Sequence, residues 1–353
     1  MPVTAFSAMM PVMSAVSAGL PSPSSSVWHI GPVPIRAYAL CILTGVFVAV
    51  WWSDRRYRAK GGLPEVVLDI AIVAVPAGIV GARLYHVLSS PDDYFGPNGD
   101  LALVPQVWLG GLGIWGGIAG GVLAGVLLLR HRGLRVAPLA DAVAPALLVA
   151  QAIGRLGNWF NQELYGTPTT LPWGLQIDDA HLPAGSSYPP GTLFHPTFLY
   201  EALWNLAGAA LLVWIGRRML ARGGATGGRL LWVYLMVYTA GRVWIEMLRI
   251  DEAETILGLR LNVWTSIVIF LVGAVGLVIT SRRSLSDAIE RSEQGTQKAV
   301  SGDESPQKDK DSEDSAEDNS PAEGGAAASA VHDEVDADRK STRLNSSHEP
   351  LSR

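Results

Sequence analysis

Seven apolar stretches, each close to the length of a membrane span, constrain the fold of this chain more than any other feature. A spanning helix needs about 20 mostly apolar residues, and seven segments meet this condition. They cover approximately residues 33–52, 65–88, 110–130, 137–157, 196–216, 229–249 and 261–280. Because 49% of the 353 residues are hydrophobic and 17% are charged, we predict an all-α, polytopic integral membrane protein with about seven transmembrane helices.

Basic residues mark alternate ends of these stretches. They follow the first, third, fifth and seventh segments, whereas the connections between are poor in Lys and Arg. The clusters are Arg55, Arg56, Arg58, Lys60, Arg130, Arg132, Arg135, Arg217, Arg218, Arg222, Arg282 and Arg283. Because cytoplasmic loops carry an excess of Lys and Arg, we predict an external N-terminus and a cytoplasmic C-terminus. We interpret these basic residues as a signal of membrane topology, and we expect no nucleic-acid partner.

The regions that flank the apolar body differ from it in composition. Residues 1–27 lack the basic start of a signal peptide, and we expect a flexible N-terminal extension. Residues 28–283 form the predicted seven-helix transmembrane domain. Residues 284–353 contain 17 acidic and 8 basic residues and too few apolar residues for a core, so we predict a disordered acidic cytoplasmic tail. The final residues 341–353 break from this composition and look like translated adapter sequence.

A dense polar patch lies at the outer end of the fourth apolar stretch. The segment 154–166, GRLGNWFNQELYG, contains Arg155, Asn158, Asn161 and Glu163. Hydrogen-bonding and ionisable groups at membrane depth usually face a cavity or a partner. The long segment 159–195 that follows is also typical of a functional loop. We therefore predict that this patch contributes to a binding or catalytic site.

A second polar stripe runs along the sixth apolar stretch. Tyr238, Arg242, Glu246 and Arg249 are spaced four, four and three residues apart, which places them on one face of a helix. One interpretation is a structural ion pair between Arg242 and Glu246. The other is a phosphate site shared with Arg155, because guanidinium groups make two-point contacts with phosphate oxygens. Such arginines would also stabilise charge that develops on a leaving phosphate.

Further polar residues occur near the same outer zone. We expect Arg83 to be either a third phosphate ligand or an interfacial anchor. Glu201 is expected to support the site by pairing with Arg155 or Arg83, and His195 is a candidate substrate contact near it. Tyr38 either presents a phenol to the cavity or is an ordinary interfacial aromatic. The sequence contains no P-loop, HExxH motif or cysteine cluster, so no metal and no organic cofactor is expected.

The segment 154–166 resembles the signature of bacterial prolipoprotein diacylglyceryl transferases, GRxGNFxNxExxG, with Trp159 at the position of the usual Phe. Other pieces similar to this family occur in the same order along residues 28–283. They are Tyr38, GARLYHVL at 81–88, WLGGLGIWGG at 108–117, HPTFLYE at 195–201 and YTAGRVWIEMLR at 238–249.

The resemblance implies a seven-helix enzyme of the bacterial inner membrane with its site at the outer leaflet. Such an enzyme moves the diacylglyceryl group of phosphatidylglycerol to the lipobox cysteine thiol of a prolipoprotein signal peptide, and glycerol phosphate leaves. It also implies that Arg155 and Arg242 grip the headgroup phosphate. The other positions that it implicates are Tyr38, Asn158, Glu163, Gly166, Tyr238 and Glu246. Phosphatidylglycerol, prolipoproteins and membrane lipid are the expected partners.

One residue departs from the family pattern. Many members have histidine, proposed as the base for the thiol, where this chain has Trp115. Nearby cations lower the pKa of a thiol from about 8.5, so we expect electrostatic thiol activation, with Glu246 or Tyr38 as proton relays.

Two rival functions start from the same basic cavity. The first is a lipid transporter or flippase, which would need access from both faces. The second is a non-catalytic lipid-binding protein. The sequence has no evident internal repeat, and its polar stripes lie at the outer side only, which favours the transferase.

Overall fold

The computed structural model describes residues 19–95, 97 and 99–301. The chain divides into two units, residues 1–297 and 298–353, and the site lies in the first. The helices are α1 (Ala37–Arg58), α2 (Val66–Ser89), the single turn α3 (Asp92–Phe95), α4 (Ile114–His131), α5 (Val136–Asn161), α6 (Thr197–Ala221), α7 (Arg229–Leu248) and α8 (Leu261–Ser301).

Six of the helices are long and apolar enough to cross a membrane by length and composition. They are α1, α2, α4, α5, α6 and the segment Leu261–Arg283 of α8. Helix α7 has a similar length, but Arg242, Glu246 and several aromatic residues make it less apolar. The prediction of an all-α, multi-pass membrane protein is confirmed, and α7 matches the sixth predicted segment, 229–249.

Short strands occur before the first helix and in two of the connections between helices. A hairpin of β1 (Val27–Ile30) and β2 (Val33–Arg36) precedes α1. The segment between α5 and α6 forms an antiparallel sheet in the order β3-β5-β4. Its strands are β3 (Pro168–Thr169), β4 (Leu175–Gln176) and β5 (Leu193–Phe194). A second hairpin, β6 (Thr255–Ile256) with β7 (Leu259–Arg260), joins α7 to α8.

Helix α5 is the centre of the bundle and packs against α1, α6 and α7. Ala142, Ala144 and Ala146 are fully buried on different sides of this helix, and small side chains let neighbouring helices approach closely. Helices α2 and α4 form a separate close pair. A Cβ atom on Gly81 would overlap the carbonyl oxygen of Gly116, so glycine lets these two helices approach closely.

The start of α7 lies beside α5 and the residues that follow α1. Asp141 of α5 is buried and accepts hydrogen bonds from the main-chain N–H groups of Gly228 at 2.7 Å and Leu230 at 2.8 Å. An acidic group at a helix N-terminus is favourable, so Asp141 caps α7. Lys60, just beyond α1, donates to Thr226 Oγ1 at 3.3 Å. Burial lowers the pKa of Lys60, and the charge of Asp141 opposes this effect.

The last residues of the predicted flexible N-terminal extension, 19–27, include contacts to the segment between α5 and α6, and the flexibility of the extension stays a prediction. The Leu20 N–H donates to the Gly174 carbonyl at 2.8 Å, and the Gln176 N–H donates to the Leu20 carbonyl at 2.9 Å. Leu20 thereby pairs with β4 and packs on the apolar cluster that includes Phe194. Composition could not predict these contacts, because they depend on the burial of one leucine and on a few main-chain hydrogen bonds. Residues 1–18 lie outside the described residues.

Helix α8 continues beyond Ser284, the predicted start of the disordered tail, as far as Ser301, and the disorder of the tail stays a prediction. Residues 284–301 are polar, which argued against a packed core. They also include Ala, Glu, Gln and Lys, which are good helix formers. Extending an existing helix costs much less than nucleating a new one, so the spanning helix propagates into this polar segment. Residues 302–353 lie outside the described residues.

Candidate active site

Glu201 joins the two arginines that the sequence placed on separate helices. Its carboxylate, on α6, contacts Arg155 Nε of α5 through Oε2. It accepts a hydrogen bond from Arg242 Nη1 of α7 at 2.9 Å through Oε1. Arg155 and Arg242 keep 21% and 13% of their side chains exposed, whereas Glu201 is buried. Of the two partners expected for Glu201, Arg155 is therefore the one that it contacts.

Glu246 is fully buried and lies at the centre of a set of four donors. Its Oε2 accepts from Arg242 Nη2 at 2.5 Å and from Arg249 Nη1 at 3.2 Å. Its Oε1 accepts from Arg260 Nε at 3.0 Å and from Asn262 Nδ2 at 2.9 Å. An ionised carboxylate only accepts hydrogen bonds, and both oxygens here face donors. Glu246 is thus placed as a fixed anion, which argues against the expected proton-relay role.

Asp251 closes a ring of alternating charges with Glu246 and two arginines. It accepts from Arg249 Nε and Nη2 at 2.7 and 2.8 Å, and from Arg260 Nη2 at 2.8 Å. Burial alone would raise the pKa of Asp251, but these two arginines outweigh it and lower the pKa. The ion pairs therefore stabilise the fold above about pH 3.9, and this stability is lost as the pH falls through the folded-state pKa.

The signature segment forms a hydrogen-bonded chain from Arg155 to Glu163. Arg155 Nη1 donates to Asn158 Oδ1 at 3.3 Å, and Asn158 Nδ2 donates to Glu163 Oε1 at 2.7 Å. Asn161 Nδ2 donates to the same oxygen at 3.2 Å. Helix α5 ends here because Gln162 is left-handed, with φ of 50°. The helix end therefore turns Glu163 back toward the asparagines that orient Arg155.

Gly166 is a point where three segments meet at the level of their backbones. It bridges to Arg249 just after α7, and its N–H donates to the His195 carbonyl at 2.9 Å. A Cβ atom would lie 2.8 Å from His195 Cβ and 3.0 Å from the Leu248 carbonyl oxygen, which is too close for a side chain. Gly166 thus joins the signature segment to the arginine-bearing end of α7, through packing.

The two predicted tyrosines lie near the helix segments that contain Arg155 and Arg242. The Tyr38 ring, 38% exposed, packs on Gly157, where a Cβ atom would come within 2.6 Å of Tyr38 Cδ2. Gly157 is two residues after Arg155, so the ring lies near that helix end. Tyr238 stacks on Tyr234 with ring centroids 6.0 Å apart and an interplanar angle of 15°. Tyr38 therefore borders the site, and Tyr238 packs one helical turn before Arg242.

His195 lies at the edge of the network. Among the described residues, the His195 ring has one side-chain hydrogen-bond partner, the Tyr200 hydroxyl, which lies 3.1 Å from its Nδ1. The Trp173 Nε1–H donates to the same hydroxyl at 3.1 Å. Within the described part of the chain, the ion pairs of the site do not include His195. A contact between His195 and substrate stays a prediction.

Arg83 has a different environment from either of the two that we expected. The side chain is buried, and the Tyr94 ring centroid lies 5.2 Å from its guanidinium carbon. Its guanidinium donates to the main-chain oxygens of Leu103, Val104, Gly110 and Gly111. Arg83 therefore fixes the connection between α3 and α4, because an arginine can satisfy several carbonyls at once. These contacts occupy its donors and argue against phosphate binding, although the role of Arg83 as a third phosphate ligand stays a prediction.

Three residues of the network were not predicted from the sequence: Asp251, Arg260 and Asn262. Arg260 did carry a signal, since it is a basic residue at the predicted outer end of the last span, where few are expected. Asp251 and Asn262 had none, because ordinary connections contain many such residues. In the described residues, no cluster of three or more His, Cys, Asp or Glu side chains could hold a metal ion.

The chain is similar to known proteins along most of its length. The family described as "Prolipoprotein diacylglyceryl transferase" matches residues 25–279. Three relatives are named phosphatidylglycerol–prolipoprotein diacylglyceryl transferase. The relative from Bifidobacterium adolescentis is 50% identical over 76% of this chain and 81% of its own length. The Streptomyces coelicolor relative, numbered 2, is 53% identical over 75% and 81%, and that from Frankia alni is 54% identical over 79% and 72%.

Proposed function

The chain belongs to the prolipoprotein diacylglyceryl transferase family, and from this premise we propose that it transfers the diacylglyceryl group of phosphatidylglycerol to a prolipoprotein cysteine. One observation carries this proposal for the site. Arg155 and Arg242 come from different helices, are both partly exposed, and meet at one carboxylate of Glu201. Two guanidinium groups held in this way suit a phosphate between them.

The reaction is a substitution at the glyceryl carbon. The thiolate sulfur of the lipobox cysteine attacks this carbon, and a C–S bond forms. The C–O bond to the phosphate breaks, its electron pair goes to the phosphate oxygen, and glycerol phosphate leaves. The proton of the thiol passes to the solvent or to the released phosphate. The nucleophile belongs to the substrate, so no cysteine of the enzyme takes part.

The arginines have donors to spare for this phosphate. A guanidinium has five N–H donors. In the described contacts, Arg155 uses Nε and Nη1, and Arg242 uses Nη1 and Nη2. The remaining donors can bind the phosphate oxygens and stabilise the negative charge that grows as the C–O bond breaks. Asn158, Asn161 and Glu163 support Arg155, whereas Glu246 and Arg249 support Arg242.

Several finer features belong to the same proposal. The protein is a multi-pass protein of the bacterial inner membrane, its N-terminus lies outside, and its site faces the outer leaflet. The peptide substrate is a signal peptide with a lipobox. Residues 28–283 hold the activity. The basic residues at alternate helix ends support this orientation, and the arginine network lies at the opposite helix ends.

We propose that cationic groups activate the thiol without a histidine base. Thiol pKa values fall next to arginine, and Tyr38, beside the end of α5, remains a candidate relay. Trp115, at the start of α4, supports this view, because its indole is a donor only and cannot take the proton of the thiol.

Changing Trp115 to histidine is therefore expected to alter the transfer rate by no more than a few-fold, with no new titration near about pH 6.5. The pH profile of kcat/KM measures this. Trp108→His, at another exposed tryptophan, controls for the loss of an aromatic anchor. A large rate gain with a new histidine titration, specific to Trp115→His, would contradict electrostatic activation.

Purified protein with phosphatidylglycerol and a single-cysteine lipobox peptide tests the function directly. We expect a diacylglyceryl mass gain on the peptide together with released glycerol phosphate, and neither with a Cys→Ser peptide. Cys41→Ser in the enzyme is expected to keep wild-type activity, because Cys41 lies in α1 and is not the nucleophile. Lipid binding without product would instead favour a lipid-binding protein, and movement of lipid across vesicles would favour a flippase.

A further inference from the structure

The hairpin between α7 and α8 brings Arg260 to the oxygen of Glu246 that Arg242 does not use. Arg260 Nε and Asn262 Nδ2 donate to Oε1 at 3.0 and 2.9 Å. Arg242 Nη2 donates to Oε2 at 2.5 Å. Because the two oxygens belong to one rigid carboxylate, partners that fix Oε1 also fix the direction in which Oε2 meets Arg242.

Protein groups occupy most of the donors of Arg260. Its Nη1 donates to the carbonyl oxygens of Arg249 and Asp251, each at 3.0 Å, and its Nη2 donates to Asp251 Oδ2 at 2.8 Å. With Nε on Glu246, four of about five donors have partners. Arg260 is therefore unsuited to binding a phosphate and suited to holding two carboxylates at a fixed separation.

The backbone of the hairpin determines where Arg260 lies. Its two central residues, Leu257 and Gly258, have φ of 53° and 77°, as two-residue hairpin turns of type I′ require. Leucine rarely adopts this conformation, so the surrounding contacts must hold it there. One such contact is the hydrogen bond from Trp264 Nε1 of α8 to the Ile256 carbonyl at 2.9 Å. A change in this turn would displace Arg260 at the base of the hairpin.

We propose that Arg260 is a positioning residue for the transfer reaction, which sets the orientation of Arg242 toward the phosphate by fixing Glu246. This inference rests on the proposed function, since it takes Arg242 as a phosphate ligand. Lysine at position 260 would keep the charge but could not bridge Glu246 and Asp251 with a planar fork. The orientation of Arg242 matters most when charge develops on the leaving phosphate, so the loss should fall on kcat.

A double-mutant cycle tests this inference. Arg260→Lys, Arg242→Lys and the double variant are compared for kcat and for the KM of phosphatidylglycerol. We expect Arg260→Lys to lower kcat about tenfold with little change in KM, because contacting residues are typically coupled by this much. In the Arg242→Lys background the same change should have almost no effect. Equal losses of kcat in both backgrounds, or an unchanged kcat in Arg260→Lys, would overturn the inference.

A pair of glycine variants tests the hairpin without touching the network. Gly258→Ala and Gly185→Ala both place alanine at φ of 77°, and neither Cβ atom would have a neighbour within 4 Å. The two changes thus impose the same backbone strain. We expect kcat to fall in Gly258→Ala alone. Equal kcat values in the two glycine variants would count against the inference, even if Arg260→Lys failed to fold.

The same experiments separate this inference from the proposed function. If the wild-type protein makes no product, the proposed function fails. If it makes product and the double-mutant cycle is additive, only this inference fails.

Discussion

Alanine at Arg155 or Arg242 is expected to lower the rate of diacylglyceryl transfer by about 10²- to 10³-fold. Removing one preorganised donor to a developing anion has a cost of this order. Lysine at either position should recover little of the loss, because an ammonium offers a point charge in place of the two-point contact. Initial rates of glycerol phosphate release, at saturating peptide, measure both comparisons.

A matched control separates loss of the phosphate grip from loss of positive charge. Arg218 lies at the other end of the bundle, where its guanidinium carbon is 5.0 Å from the Trp214 ring centroid. Arg218→Ala removes one positive charge as well, and we expect its rate to stay near that of the wild type. Near-normal transfer by Arg155→Lys and Arg242→Lys would instead mean that general positive charge is sufficient, which would contradict forked phosphate contacts.

The central pairings within one helix could be predicted from the sequence. The spacing of Arg242, Glu246 and Arg249 placed them on one helix face, and Glu246 does contact both arginines. From the sequence, the structural ion pair and the phosphate site are alternative interpretations of these residues. The geometry makes them compatible, because the ion pair uses one group of Arg242 and a further donor stays available. Local periodicity is enough for such contacts, since they depend on the rise of one helix.

Pairings between helices could not be predicted in the same way. Glu201 had two candidate partners, Arg155 and Arg83, and the choice depends on which helices are neighbours. Helix α6 packs on α5, whereas α2 packs mainly on α4, so Glu201 contacts Arg155. Arg83 instead binds carbonyl oxygens of an irregular segment. Every residue has a main-chain carbonyl oxygen, so the sequence does not indicate which of them an arginine binds.

Glutamine at Glu246 is expected to reduce both the free energy of unfolding and the transfer rate. Glu246 is fully buried and accepts four hydrogen bonds, three of them from the arginines 242, 249 and 260. Glutamine is close in shape, but its amide would turn two N–H donors toward groups that also donate. Removing one partner of a buried ion pair typically costs about 3–5 kcal/mol. Reversible unfolding in mixed micelles, followed by circular dichroism, measures this loss.

The transfer rate of the same variant tells whether Glu246 also orients Arg242. Without the carboxylate, Arg242 keeps only its bond to Glu201 and gains freedom to turn away from the phosphate. We therefore expect the rate per folded molecule to fall together with the stability. Glu252→Gln, at an exposed carboxyl in the same connection, should change neither quantity. A Glu246→Gln variant that unfolds like the wild type would contradict the view that this carboxylate holds three guanidinium groups in place.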